Sequence, residues 1–140
     1  MMDWDPARHE IAARALNEIG TSFRLFGRTS KVALDCVGLA LIAVGPALPE
    51  RARACRYHLR GEQLETVRRS LAGTAMVELA NVYAGLPGDL VLVSPSPGQL
   101  HFMIGCNGGW VHADAALGRV VLRPGMLSWR LRSLWRLGGI

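Results

Sequence analysis

The sequence is short of cysteine, lysine, aromatic side chains and long apolar runs, and each shortage narrows what the protein can be. There are three cysteines, Cys36, Cys55 and Cys106, an odd number without paired spacing, which argues against a disulfide scaffold. No Cys-x-x-Cys spacing suggests zinc, and no metal or cofactor is expected. Lys31 is the single lysine beside fifteen arginines, so the formal net charge of +5 comes almost wholly from arginine. That excess permits a polyanionic partner without specifying one. The basic residues do not share one periodic face and no recognition motif accompanies them, so no specific nucleic-acid partner is expected. The longest apolar run, Val37 to Leu48, is broken by two glycines and a proline. It falls far short of the roughly 20 residues of a membrane helix, and no membrane partner is expected. The first ten residues are acidic and then polar, unlike a secretory signal.

What remains is 140 residues, half of them hydrophobic, without repeats or a long linker. Residues 1–140 are read as one domain, with 124–140 as a Trp- and Arg-rich segment packed on it. Ile11, Ala12, Ala15, Leu16 and Ile19 predict a helix over 6–19, capped by Asp5 and ended by Gly20. Residues 20–34 read as a loop, and Asp35 opens a short apolar helix over 36–44. A surface helix over 62–71 and a short strand over 76–79 follow. The second half changes character: strands are predicted at 89–93, 100–106, 109–114 and 119–122. Asn107-Gly108 is a strong hairpin signal between the middle pair. A short helix is predicted around 127–132, then strand or coil at 134–137. Helices first and an antiparallel meander second give an α+β domain.

Three residues stand out for chemistry. Cys36 sits just inside a helix start, where unpaired N–H groups and the helix dipole lower a thiol pKa. A buried, inert thiol on an apolar helix is the plainer alternative. A two-residue turn at Asn107-Gly108 places His101, His112 and Asp114 on one face of the hairpin, with the imidazoles as diagonal neighbours. A nucleophile needs one such imidazole as base, and the base needs a polar group to fix its ring. The pair is otherwise two satisfied histidines, and a Cys-His-His zinc site is a further rival. The same register turns Cys106 away from His101. Asp35 reads as a helix cap more readily than as a participant in catalysis. Gly38 either allows close packing of its helix or is merely tolerated. Arg24, Arg28 and Lys31 make the preceding loop basic, to meet acidic groups of a ligand or only solvent. Arg51, Arg53 and Arg56 read as surface. Tyr57 and Tyr83 are candidates for closing a cleft. Trp129 and Trp135 either pack the tail or mark a docking surface.

Leu34-Asp35-Cys36-Val37-Gly38-Leu39 resembles the Asp-Cys-Ser-Gly-Leu signature of NlpC/P60 cysteine peptidases, with Val37 where serine is common. Gly20-Thr21-Ser22-Phe23 resembles that family's Gly-Thr-Pro-Tyr stretch, with Phe23 lacking the tyrosine hydroxyl. Pro87-Gly88-Asp89-Leu90 matches its turn into the sheet. His101-Phe102-Met103-Ile104 is similar to its His-Val-Gly-Ile strand, and Val111-His112-Ala113 to its Ile-His-Ala element. The motifs keep family order over roughly residues 10 to 125.

The resemblance implies a papain-like α+β fold with N-terminal helices packed on an antiparallel sheet. It implies a thiol peptidase acting on peptide stems of bacterial peptidoglycan, at a D-glutamyl–diamino acid type of bond. Cys36 would be the nucleophile, His101 the base and His112 the orienting group, with Phe23, Arg24, Asp35 and Asp114 near the substrate. Phe23-Arg24-Leu25-Phe26-Gly27-Arg28 and the late Trp-Arg segment resemble small peptidases of phage tails and gene transfer agents. That setting implies tail-tip proteins as partners and a cytoplasmic location until particle assembly. A structural tail-tip component with little or no peptidase activity is the alternative.

Overall fold

A computed structural model describes residues 5–53, 64–80 and 85–139. Cys55, Arg56, Tyr57, His58 and Tyr83, and the side chain of Arg53, lie outside the described residues. Helix α1, Pro6–Leu16, begins as expected: the Asp5 carboxylate accepts from the N–H groups of Ala7 and Arg8, and proline fills the first turn. It ends earlier than its apolar spacing predicts. Leu16 and Ile19 are 40% and 45% exposed, while Glu18 is buried. The chain turns after Asn17, which lets Glu18 accept from the Thr21 and Ser30 hydroxyls and the Lys31 N–H. Burial alone would raise the Glu18 pKa, but these bonds outweigh it and hold the carboxyl below its ordinary value.

The predicted loop holds three two-residue strands, β1 (Ser22–Phe23), β2 (Arg28–Thr29) and β3 (Ala33–Leu34). Two residues are too few to show a period in sequence, so these strands exist only through their partners. Helix α2, Cys36–Val44, has the predicted bounds, and a 3-10 turn at Gly45–Ala47 follows it. Short helices α3 (Glu50–Arg53) and α4 (Leu64–Leu71) come next. The remaining strands are β4 (Met76–Leu79), β5 (Leu90–Ser94), β6 (His101–Cys106), β7 (Gly109–Asp114), β8 (Arg119–Pro124) and β9 (Arg130–Leu137). Among the described residues they form one sheet in the order β2-β3-β1-β8-β7-β6-β5-β9-β4. The pairing is antiparallel except between β1 and β3.

The helix expected at 127–132 is not formed. Arg130 to Leu137 instead make β9, inserted between β5 and β4 with a bulge opposite Leu92 and Val93. Arginine, leucine and tryptophan carry no strong local preference against a helix, but β5 needs a second partner, and pairing on both edges of β9 overrides propensity. Ser133 and Trp135 are buried there, and the Arg136 guanidinium meets the fully buried Asp89 in two bonds of 2.9 and 2.8 Å. Asp89 also accepts from the Leu86 N–H, so the Pro87-Gly88-Asp89-Leu90 turn is tied to the C-terminal strand.

The main core lies between the helices and one sheet face. Ile11, Leu39 and Val44 meet Leu92, Phe102, Ile104 and Val111 there. Val91, Val93, Met103, Trp110 and Leu134 form a smaller cluster, joined by Leu127 and Trp129. Both faces of the central strands are therefore covered, which explains why β5, β6 and β7 are buried almost throughout. No helix among the described residues is long and apolar enough to cross a membrane.

Candidate active site

The N-terminus of α2 is built around Asp35. The residue is buried, and its side chain makes three charge-assisted bonds. It accepts from the Gly38 N–H at 2.8 Å, the Phe26 N–H at 2.9 Å and the Arg28 guanidinium at 2.6 Å. Asp35 is thus a helix cap that also ties the 26–28 loop to α2, and its oxygens are committed. Gly38 is needed for that approach: a Cβ would stand 2.1 Å from the Gly27 carbonyl oxygen. Phe26 holds a left-handed backbone at φ 63°, unusual for a bulky residue.

Cys36, at the first position of α2, is half-buried. It opens into a cleft of about 450 Å³ shared with His101, Phe23, Leu100, Gln99 and Ala113. The helix thiol and the hairpin imidazole therefore border one space. The backbone N–H groups of Phe102 and Val37 face the sulfur. The thiol pKa is not lowered as the helix start suggests. Burial pushes it up from 9.0 to about 12, and the Asp35 charge adds to this against the smaller pull of Arg28 and the two N–H groups. Desolvation of the thiolate here exceeds what one helix terminus returns.

The hairpin register is the predicted one, with Cys106 opposite Gly109 and Ile104 opposite Val111, and Gly108 takes the positive φ of the turn. His101 and His112 meet, with Nε2 of the first 2.9 Å from Nδ1 of the second. That contact commits Nε2 of His101 and leaves Nδ1 as its other ring nitrogen for a ligand or thiol. His112 is 2% exposed, and its Nε2 lies 4.0 Å from an Asp114 carboxylate oxygen, too far for a hydrogen bond. Burial and the neighbouring His112 push His101 down from 6.5 to about 4, against the weaker pull of Asp114 and Asp35. His112 is lowered too, by burial and by Arg123, against the pull of Asp114. Cys106 is buried with the helix-side core, away from the imidazoles.

Not all the expected ligand contacts are drawn together. Phe23 and Asp35 line the cleft with Cys36 and His101. Arg24 is exposed and Asp114 sits beyond His112, and neither borders the cleft. Among the described residues no group of three or more His, Cys, Asp or Glu is arranged to hold a metal ion. Trp129, for which the sequence offers tail packing or a docking surface, packs edge-to-face on both imidazoles at 5.8 and 5.5 Å, with the Arg123 guanidinium 4.4 Å over its ring. Trp135 is core. Trp129 lies outside the catalytic motifs and in a segment that reads as helix, so only the β8–β9 geometry could reveal its contact with the histidines.

No protein-family model matches the sequence, and no curated protein matches it. Solved structures do match. NlpC1 from Trichomonas vaginalis superposes with a TM-score of 0.66 at 18% identity, over 97% of this chain and 47% of that one. The peptidoglycan hydrolase RipB from Mycobacterium tuberculosis gives 0.60 at 22% identity, over 94% and 64%. RipD from the same organism, described as a non-catalytic NlpC/p60 domain protein adapted to peptidoglycan binding, gives 0.56 at 17% identity, over 95% and 98%. The chain spans about half the length of the Trichomonas proteins it matches. Taken with the helix-borne thiol and the strand-borne histidines, these superpositions establish that the chain has the papain-like α+β fold of NlpC/P60 domains.

Proposed function

We propose that the protein is a cysteine peptidase that hydrolyses peptide stems of bacterial peptidoglycan, at a D-glutamyl–diamino acid type of bond. The single observation that carries the reading is the common cleft of Cys36 and His101, with His112 bonded to the far nitrogen of the base. In this reading His101 Nδ1 takes the thiol proton as Cys36 Sγ attacks the scissile carbonyl carbon. Negative charge on the carbonyl oxygen is met by backbone N–H groups at the start of α2. The C–N bond then breaks, and the proton passes from His101 to the leaving amine. Water attacks the thioester with His101 again as base, which frees the carboxylate product and restores the thiol. His112 holds the imidazole in place throughout. Because burial favours the neutral form of both Cys36 and His101, the resting pair is thiol and imidazole, and proton transfer accompanies attack.

The biological setting proposed is local wall opening by a phage tail or gene transfer agent particle, assembled in the cytoplasm. The Phe23–Arg28 stretch and the Trp- and Arg-rich C-terminal segment support it. A second reading, a wall-binding or structural tail-tip component with little activity, is favoured by the raised thiol and by the likeness to RipD. The two are separated on purified cell wall. Under the first, wild type releases stem fragments identified by mass spectrometry and Cys36→Ser releases none. His101→Ala then loses more activity than His112→Ala. Undiminished release by Cys36→Ser rejects the mechanism, while wall binding without fragments from wild type selects the second reading.

A further inference from the structure

Three rings, from His101, His112 and Trp129, meet mutually edge-to-face, with interplanar angles of 87°, 85° and 89°. Perpendicular packing of this kind is the favourable arrangement for aromatic rings and fixes each against the other two. Trp129 also borders a second cavity, of about 470 Å³, lined by Trp110, Met126, Leu127 and Leu131 among others. The indole therefore stands between that open space and the two imidazoles. Arg123, on β8, stacks its guanidinium on the same ring, so the indole is held from β8 as well as by its own place before β9. Without the indole, the cavity would extend to the histidines, and their hydrogen bond would lose both its packing and its shelter from water.

We propose that Trp129, braced by Arg123, is a positioning residue that holds the His101–His112 pair in register and keeps water from its rear. This rests on the peptidase reading for its role in the reaction, while the effect on the histidines stands apart from it. Among the described residues, the charged and titratable groups that face the pair come from three directions. From β7, Asp114 favours the charged imidazoles, and Asp35, ahead of α2, favours the charged form of His101. From β8, Arg123 disfavours charge on His112, and Cys36 of α2 faces the cleft beside His101. Loss of the indole leaves all of these in place and adds water, so both imidazoles should titrate closer to an ordinary histidine.

The test is a histidine titration by NMR on the full chain, for wild type, Trp129→Ala, Trp129→Phe and Arg123→Met, paired with kcat and KM on purified stem peptide. Trp129→Ala should move the midpoints of His101 and His112 upward and lower kcat by about ten- to a hundredfold, the scale of a misplaced catalytic group, with KM changed far less. Trp129→Phe keeps a ring and should recover most of both. Arg123→Met should raise the midpoint of His112 more than that of His101. Unchanged histidine midpoints in Trp129→Ala overturn the proposal, as does a loss confined to thermal stability. If Trp129→Ala does not fold, Trp129→Leu takes its place, since it fills space without a ring, and unchanged histidine midpoints in that variant overturn the proposal. Wild type that cleaves no stem peptide, while the midpoints move as stated, defeats the peptidase reading and leaves the positioning of the pair intact.

Discussion

Alkylation of Cys36 by iodoacetamide distinguishes the neutral resting pair from a thiolate–imidazolium pair. A thiol pushed from 9.0 to about 12 carries about a thousandfold less thiolate near neutral pH. The thiolate that does form is more nucleophilic, by about 15- to 30-fold for a Brønsted slope of about 0.4–0.5, so the net rate falls by about 30- to 60-fold. Site-resolved mass spectrometry of the Cys36 peptide gives that rate separately from Cys55 and Cys106. The rate should lie below that of an unperturbed peptide thiol and rise about tenfold per pH unit from pH 7 to 10, without a plateau. His101→Asn should change it little, because a neutral imidazole stabilises no thiolate. A plateau below pH 7 that disappears in His101→Asn would refute the reasoning, since it would mean that the ion pair survives burial.

Three further outcomes follow from the packing. His101 titrates near 4 in the fold and near 6.5 when unfolded, so the unfolded chain binds the extra proton as pH falls. Stability is then full above about 6.5 and falls by up to about 3 kcal/mol on the way to pH 4, and urea melts of His101→Gln should lack that slope. Gly38→Ala drives a Cβ against the Gly27 carbonyl and should cost about 1–3 kcal/mol, seen as a lower Tm; an unchanged Tm contradicts the close approach. Arg136→Met leaves the fully buried Asp89 carboxylate without its guanidinium and should cost about 3–5 kcal/mol by chemical denaturation, whereas a loss below 1 kcal/mol would mean the pair is dispensable.

Much of the site was legible because its signals are local. A carboxylate before an apolar run announces a helix start, and Asp35 caps α2 at the predicted residue. Asn107-Gly108 sets a two-residue turn, and period-two alternation then brings His101 and His112 to the same side. The thiol's ionisation was not legible. Position on a helix speaks for a lowered pKa, but the balance depends on how densely other elements surround the sulfur.

The same division runs through the fold. Local patterns in the chain dictate which short segments can be helix or hairpin, where the caps and turns fall, and the order in which thiol and imidazoles occur. Tertiary structure alone decided that 130–137 joins the sheet between two distant strands, that Glu18 is buried while Leu16 and Ile19 are not, and that Trp129 closes over both histidines. Caps and turns are settled by bonds between residues two to four apart, which the local sequence encodes. Strand partners, burial and desolvation are settled by residues tens of positions away, whose arrival no local pattern records.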